Sequence, residues 1–73
     1  MEYGEALSIL LEAKDMTKAD LARSIGRSRS YVSQLVNGKV KEPTITLAFA
    51  ISDALGVRLE DFRRLMSEGS RRR

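Results

Sequence analysis

Neither cysteine nor histidine occurs anywhere in this 73-residue chain. Without cysteine there is no disulfide framework and no thiolate metal site, and without histidine the other common zinc ligand and the usual general base are missing. No metal and no cofactor are therefore expected. Long apolar runs are absent too. The longest, Leu47 to Ile51, falls far short of the roughly 20 residues that a membrane-spanning helix needs. The N-terminus carries Glu2 and Glu5 where a signal peptide would carry positive charge, so the pattern predicts a cytoplasmic protein with no membrane contact. Carboxylates and lysines fall on polar helix faces with no nucleophile–base pairing, so an enzyme is not expected and no small-molecule ligand is evident.

Charge is present, and its distribution says more than its net value of +3. Residues 1–16 set Lys14 against Glu2, Glu5, Glu12 and Asp15, for −3. Residues 17–41 set Lys18, Arg23, Arg27, Arg29, Lys39 and Lys41 against Asp20 alone, for +5. Residues 42–70 return to −2, and Arg71 to Arg73 add +3. A basic segment between acidic ones is the form of a localised polyanion-binding face, although a charge run by itself is more often only a solvated surface.

The apolar spacing is helical throughout. Tyr3, Ala6, Leu7, Leu10 and Leu11 predict a first helix at about 2–13. Thr17 and Asp20 form a capping box for a second, running from Lys18 to about Ile25 with Leu21, Ala22 and Ile25 buried, and Gly26 supplies a sharp turn. Ser28 caps a third helix through Asn37, with Val32, Leu35 and Val36 inward and Ser30, Ser33, Gln34 and Asn37 outward. Pro43 breaks the chain, Thr44 caps a fourth helix with Leu47, Ala48, Ile51, Ala54 and Leu55 as its core stripe, and Gly56 stops it. A fifth, shorter helix holds Leu59, Phe62, Leu65 and Met66. The expected fold is all-α with five helices: one domain over residues 1–66 and an unstructured basic tail over 67–73.

Two short helices joined by a glycine turn, the second carrying short hydrogen-bonding side chains outward, are the sequence form of a helix-turn-helix. The stretch Thr17–Lys–Ala–Asp–Leu–Ala–Arg–Ser–Ile–Gly26, followed by Ser28–Arg–Ser–Tyr–Val–Ser–Gln–Leu–Val–Asn–Gly38, resembles helices 2 and 3 of the small helix-turn-helix domains of the Cro and lambdoid phage repressor type, also called XRE-like. Lys39 to Pro43 and Thr44 to Leu59 continue the likeness, which covers roughly residues 5–66.

The resemblance implies a lambda-repressor-like fold and a sequence-specific regulator of transcription, a repressor, that binds double-stranded DNA as a dimer. It places base reading on Arg29, Ser30, Ser33 and Gln34. Arginine pairs with O6 and N7 of guanine, glutamine with N6 and N7 of adenine, and serine donates, accepts or permits close approach. Phosphate contact falls on Lys18, Asn37, Lys39 and Lys41, with Arg27 and Tyr31 beside them. Lys18 replaces the family's common glutamine, exchanging a directed amide for a point charge. Arg27 stands where an apolar residue is common, and either lies over the turn or reaches a phosphate. Tyr31 stands where a small hydroxyl residue is frequent, its ring packed on the end of helix 2 or its hydroxyl turned to the DNA backbone.

A domain this small is marginally stable alone, and dimerisation would help it. Leu65 and Met66 are the expected dimer contacts, since helices 2 and 3 must stay free for DNA. The alternative function is an antitoxin-type module that binds a partner protein and its own operator.

Overall fold

The computed structural model describes residues 1–71, with side-chain environments through residue 67. Five helices follow one another along the chain: α1 (Tyr3–Ala13), α2 (Lys18–Ile25), α3 (Arg29–Asn37), α4 (Ile45–Leu55) and α5 (Leu59–Arg71). Local chemistry sets most of these limits. Thr17 Oγ1 accepts from the Asp20 amide at 3.0 Å while the Asp20 carboxylate accepts from the Thr17 amide at 3.1 Å, closing the capping box of α2. Ser28 Oγ accepts from Tyr31 N at the start of α3, and Thr44 Oγ1 from Leu47 N at the start of α4. Glu5 Oε1 accepts from the Glu2 amide before α1, and Asp61 Oδ2 from the Arg58 amide before α5. Each such bond satisfies an amide that the helix itself cannot pair.

The fifth helix is longer than its apolar stripe predicts. Its backbone continues to Arg71, through residues 67–71 of the expected tail, because each residue added to a helix already nucleated gains a backbone hydrogen bond. Arg72 and Arg73 lie outside the described residues.

The five helices share one core. Leu7, Leu21, Leu35, Ile51 and Val32 are its largest fully buried side chains, one or two from each of α1 to α4, and Phe62 closes it from α5. The predicted stripes hold: Leu10, Ile25, Val36, Ala54, Leu65 and Met66 are half-buried against the same cluster. Its radius of gyration, 11.3 Å, is that of a close-packed domain of this length, about 11 Å.

One contact fixes how α1 crosses α3. A Cβ placed on Gly4 would lie 2.2 Å from the Leu35 carbonyl oxygen and 2.8 Å from that of Val36, so α1 can lie this close only with a glycine there. Gly4→Ala must push α1 off α3 or unwind its first turn. Urea denaturation is expected to show a loss of about 1–3 kcal/mol, a large share of the roughly 4–11 kcal/mol usual for such a domain. An unchanged midpoint would mean that the two helices do not approach this closely.

Beside Gly4, the Tyr3 ring stacks on Phe62 with centroids 4.6 Å apart and planes 4° from parallel, tying α1 to α5. The Tyr3 hydroxyl is buried with no hydrogen-bond partner among the described residues. Burial first, and the neighbouring Tyr31 second, push this phenol well above its ordinary value. A raised phenol favours the neutral form in the folded state. Its contribution is therefore complete below about pH 10 and is lost as pH rises beyond, at up to about 1.4 kcal/mol per pH unit. Tyr3→Phe is expected to remove that alkaline loss and to leave stability at pH 7 unchanged or about 1 kcal/mol higher, since it deletes an unpaired polar group. Urea midpoints of the two proteins at pH 7 and pH 11 check both statements; a destabilised variant at pH 7 would reveal a partner for the hydroxyl.

Candidate nucleic-acid interface

The turn between α2 and α3 positions everything that follows. Gly26 adopts φ 71°, in the left-handed region where a side chain is strained, and its conformation reverses the chain within a few residues. The Arg27 amide then donates to the Ala22 carbonyl at 3.0 Å, so the segment entering α3 is pinned to α2. Ala22 is buried at the α2 face, and Val32 and Leu35 hold α3 from beneath with no exposure.

With its underside fixed, α3 turns one face outward. At about 100° per residue, Arg29, Ser33, Asn37, Ser30 and Gln34 follow one another around the helix. Arg29, Ser30, Gln34 and Asn37 are exposed and Ser33 is half-buried. The four side chains expected to read bases thus share one face, and no ion pair engages Arg29 among the described residues. A single helix of this kind fits a major groove about 12 Å wide.

Flanking groups fall into three places. Beside Arg29 and Ser33 lies a small cleft of about 360 Å³ shared with Thr17, Lys18 and Ala19, which brings Lys18 and the N-terminus of α2 next to the outer face of α3. Asp20 sits in the same first turn, yet its carboxylate is occupied. The Thr17 amide, then the Thr17 hydroxyl and Arg23, hold it below the usual carboxylate range, and its bond to Arg23 is 2.8 Å long. Asn37, Lys39 and Lys41, all exposed, follow the far end of α3. On the near end, the Arg27 guanidinium lies 5.6 Å from the centre of the Tyr31 ring. Tyr31 is half-buried against the core, so its ring packs on the domain while one face stays available to Arg27.

Leu65 and Met66 are half-buried and pack on the core. The two most exposed large apolar side chains come from α4: Ile45 at 65% and Phe49 at 54%, one helical turn apart. Ile45 borders a shallow groove of about 770 Å³ with Pro43, Met66, Glu42 and Arg63. Sequence spacing missed both residues, since neither belongs to the core stripe of α4. Among the described residues no cluster of acidic side chains could hold a metal, and no helix is long and apolar enough to cross a membrane.

Known proteins share this architecture. The sequence profile of a helix-turn-helix family matches residues 7–62. An uncharacterized HTH-type transcriptional regulator of Methanocaldococcus jannaschii is 38% identical over 47 residues, 64% of this chain and 70% of that protein. The clp gene regulator ClgR of C. glutamicum superposes with a TM-score of 0.82 at 30% identity, over 96% of this chain and 88% of that one. The restriction-modification controller protein C.AhdI of Aeromonas hydrophila superposes with a TM-score of 0.76 at 25% identity, over 82% and 89%. With the profile spanning most of the chain and the turn, caps and outward face in the expected places, the protein belongs to the helix-turn-helix family of DNA-binding transcription regulators, in its Cro and phage-repressor branch.

Proposed function

We propose that the chain is a sequence-specific transcriptional repressor that inserts α3 into the major groove of duplex DNA and acts as a two-fold dimer, without enzymatic activity. The observation that carries this reading is the outer face of α3, where Arg29, Ser30 and Gln34 stand exposed on a helix immobilised by Val32 and Leu35. Arg29 and Gln34 supply the bidentate donors and acceptors, and Ser30 and Ser33 the short adaptable contacts. Lys18, Asn37, Lys39 and Lys41 bind phosphates around them.

The dimer reading rests on α4 and the start of α5, which carry none of these side chains. Ile45 and Phe49 expose apolar surface there, and the adjoining groove carries Glu42 and Arg63, one charge of each sign. A two-fold interface brings each patch against its own copy, so a face bearing both signs is able to complement itself. Met66 adjoins this face and Leu65 lies toward the core. Were the chain an antitoxin-type module, its partner protein would compete for the same apolar face; mixed charge beside it favours a second copy.

A salt titration tests the DNA reading. Three lysines in each of two subunits contribute about −5 to the slope of log K against log salt. Replacing Lys18, Lys39 and Lys41 by alanine is expected to weaken binding to all duplexes alike and to flatten the slope by about that amount. A wild-type slope near zero would overturn it.

A further inference from the structure

We propose that Arg27 and Tyr31 form a preassembled clamp for the DNA strand on the side of the groove opposite Lys18, in which Arg27 touches phosphate and Tyr31 acts only by holding Arg27. This rests on the reading of α3 as the groove-entering helix and adds to it a division of labour between two residues of unlike type.

The geometry begins with the helix itself. Arg29 and Tyr31 are two residues apart, about 200° around the axis, so they occupy opposite shoulders of α3. The Arg29 shoulder borders the cleft with Thr17 and Lys18. The Tyr31 shoulder carries Arg27, whose guanidinium lies 5.6 Å from the ring centre, within the range of cation–π attraction. A major groove is bounded by two phosphate strands, and contacts to each of them fix the register and orientation of a helix lying between them. Lys18 supplies one and Arg27 the other.

Both members of the pair are fixed before any DNA arrives. The Arg27 backbone is held by its amide bond to Ala22 O at 3.0 Å, and the Tyr31 backbone by the cap from Ser28 at 3.1 Å. Tyr31 packs its ring against the core while Arg27 is exposed and has no carboxylate within salt-bridge distance among the described residues. An arginine held near an aromatic ring by cation–π attraction has already lost part of the side-chain freedom that phosphate binding would otherwise remove. At 5.6 Å from the ring centre the guanidinium is attracted to the ring while its N–H donors remain available to an anion.

Binding of the full chain to a duplex pool across a salt series tests the clamp, using Arg27→Ala, Tyr31→Leu, Tyr31→Phe and the Arg27→Ala/Tyr31→Leu double variant, each checked for folding by circular dichroism. Arg27→Ala, at an exposed position, is expected to weaken binding on the order of tenfold on every sequence and to flatten the salt slope by about 2, one contact per subunit. Tyr31→Leu should reproduce part of that loss, Tyr31→Phe should restore binding to within about twofold because the ring remains, and Tyr31→Leu should add nothing once Arg27 is gone. An unchanged slope in Arg27→Ala overturns the clamp, as does a Tyr31→Leu loss that is the same with or without Arg27. Equal losses in Tyr31→Phe and Tyr31→Leu would assign the contact to the hydroxyl and overturn it as well. A steep wild-type slope together with any of these results removes the clamp alone, whereas a flat wild-type slope removes the DNA reading with it.

Discussion

Replacing Arg29 or Gln34 by alanine is expected to weaken binding to a preferred duplex by about 1–3 kcal/mol per half-site, hence about 2–6 kcal/mol for a two-fold site, while random duplex is bound almost as before. The asymmetry follows from where the side chains stand. Both are exposed on the outer arc of α3 and neither contributes to the core, so truncation leaves the fold and the surrounding lysines in place. What is lost is a bidentate contact to one base pair, and with it discrimination at that position. Gel-shift titrations on selected and scrambled duplexes at one salt concentration check this. Equal losses on both would assign the two residues to phosphate instead.

A charge at Phe49 is expected to have the next largest effect. Phe49 is 54% exposed and, with Ile45 at 65%, forms the apolar surface of α4 outside the core. In a two-fold interface Phe49→Glu sets two carboxylates near each other in place of two rings, and burying an unpaired charge costs several kcal/mol. The variant is expected to sediment as a monomer and to lose at least about 100-fold in affinity for a full site, a change of roughly 3 kcal/mol. Its circular dichroism should match the wild type because the ring is not part of the core. Leu65 and Met66 are poorer probes, since both pack on the core and a charge there would disturb folding and assembly together. A Phe49→Glu protein that still sediments as a dimer would exclude this face as the interface.

Much of this arrangement was legible in the sequence where the signal was local. The bounds of α2 follow from Thr17 and Asp20 at its start and Gly26 at its end, residues that act on their own backbone within a turn. The outward face of α3 was legible by period, because Val32 and Leu35 fix which side is inside and so which side Arg29 and Gln34 must occupy. Gly4 was not legible. It is required by the carbonyls of Leu35 and Val36, more than thirty residues away in the chain, and nothing around Gly4 records that approach. Phe49 was missed for another reason: helical spacing puts Leu47, Ala48 and Ile51 inward and leaves Phe49 outward, but spacing alone does not mark an outward ring as a contact surface. The Arg27 and Tyr31 pairing depends on side-chain rotamers, which spacing does not record.

The two-fold, base-reading use of α3 is tested most directly by selecting bound sequences from a random duplex pool with the full-length protein. The expected product is a pseudopalindrome whose half-sites are centred about 34–36 Å apart, one helical turn, so that two copies of α3 enter successive major grooves on one side of the duplex. Each half-site should contain a guanine and an adenine whose selection weakens in Arg29→Ala and Gln34→Ala respectively. Enrichment of a single asymmetric half-site bound one to one would contradict the dimer, and a pool that emerges with no common sequence would contradict base reading by α3.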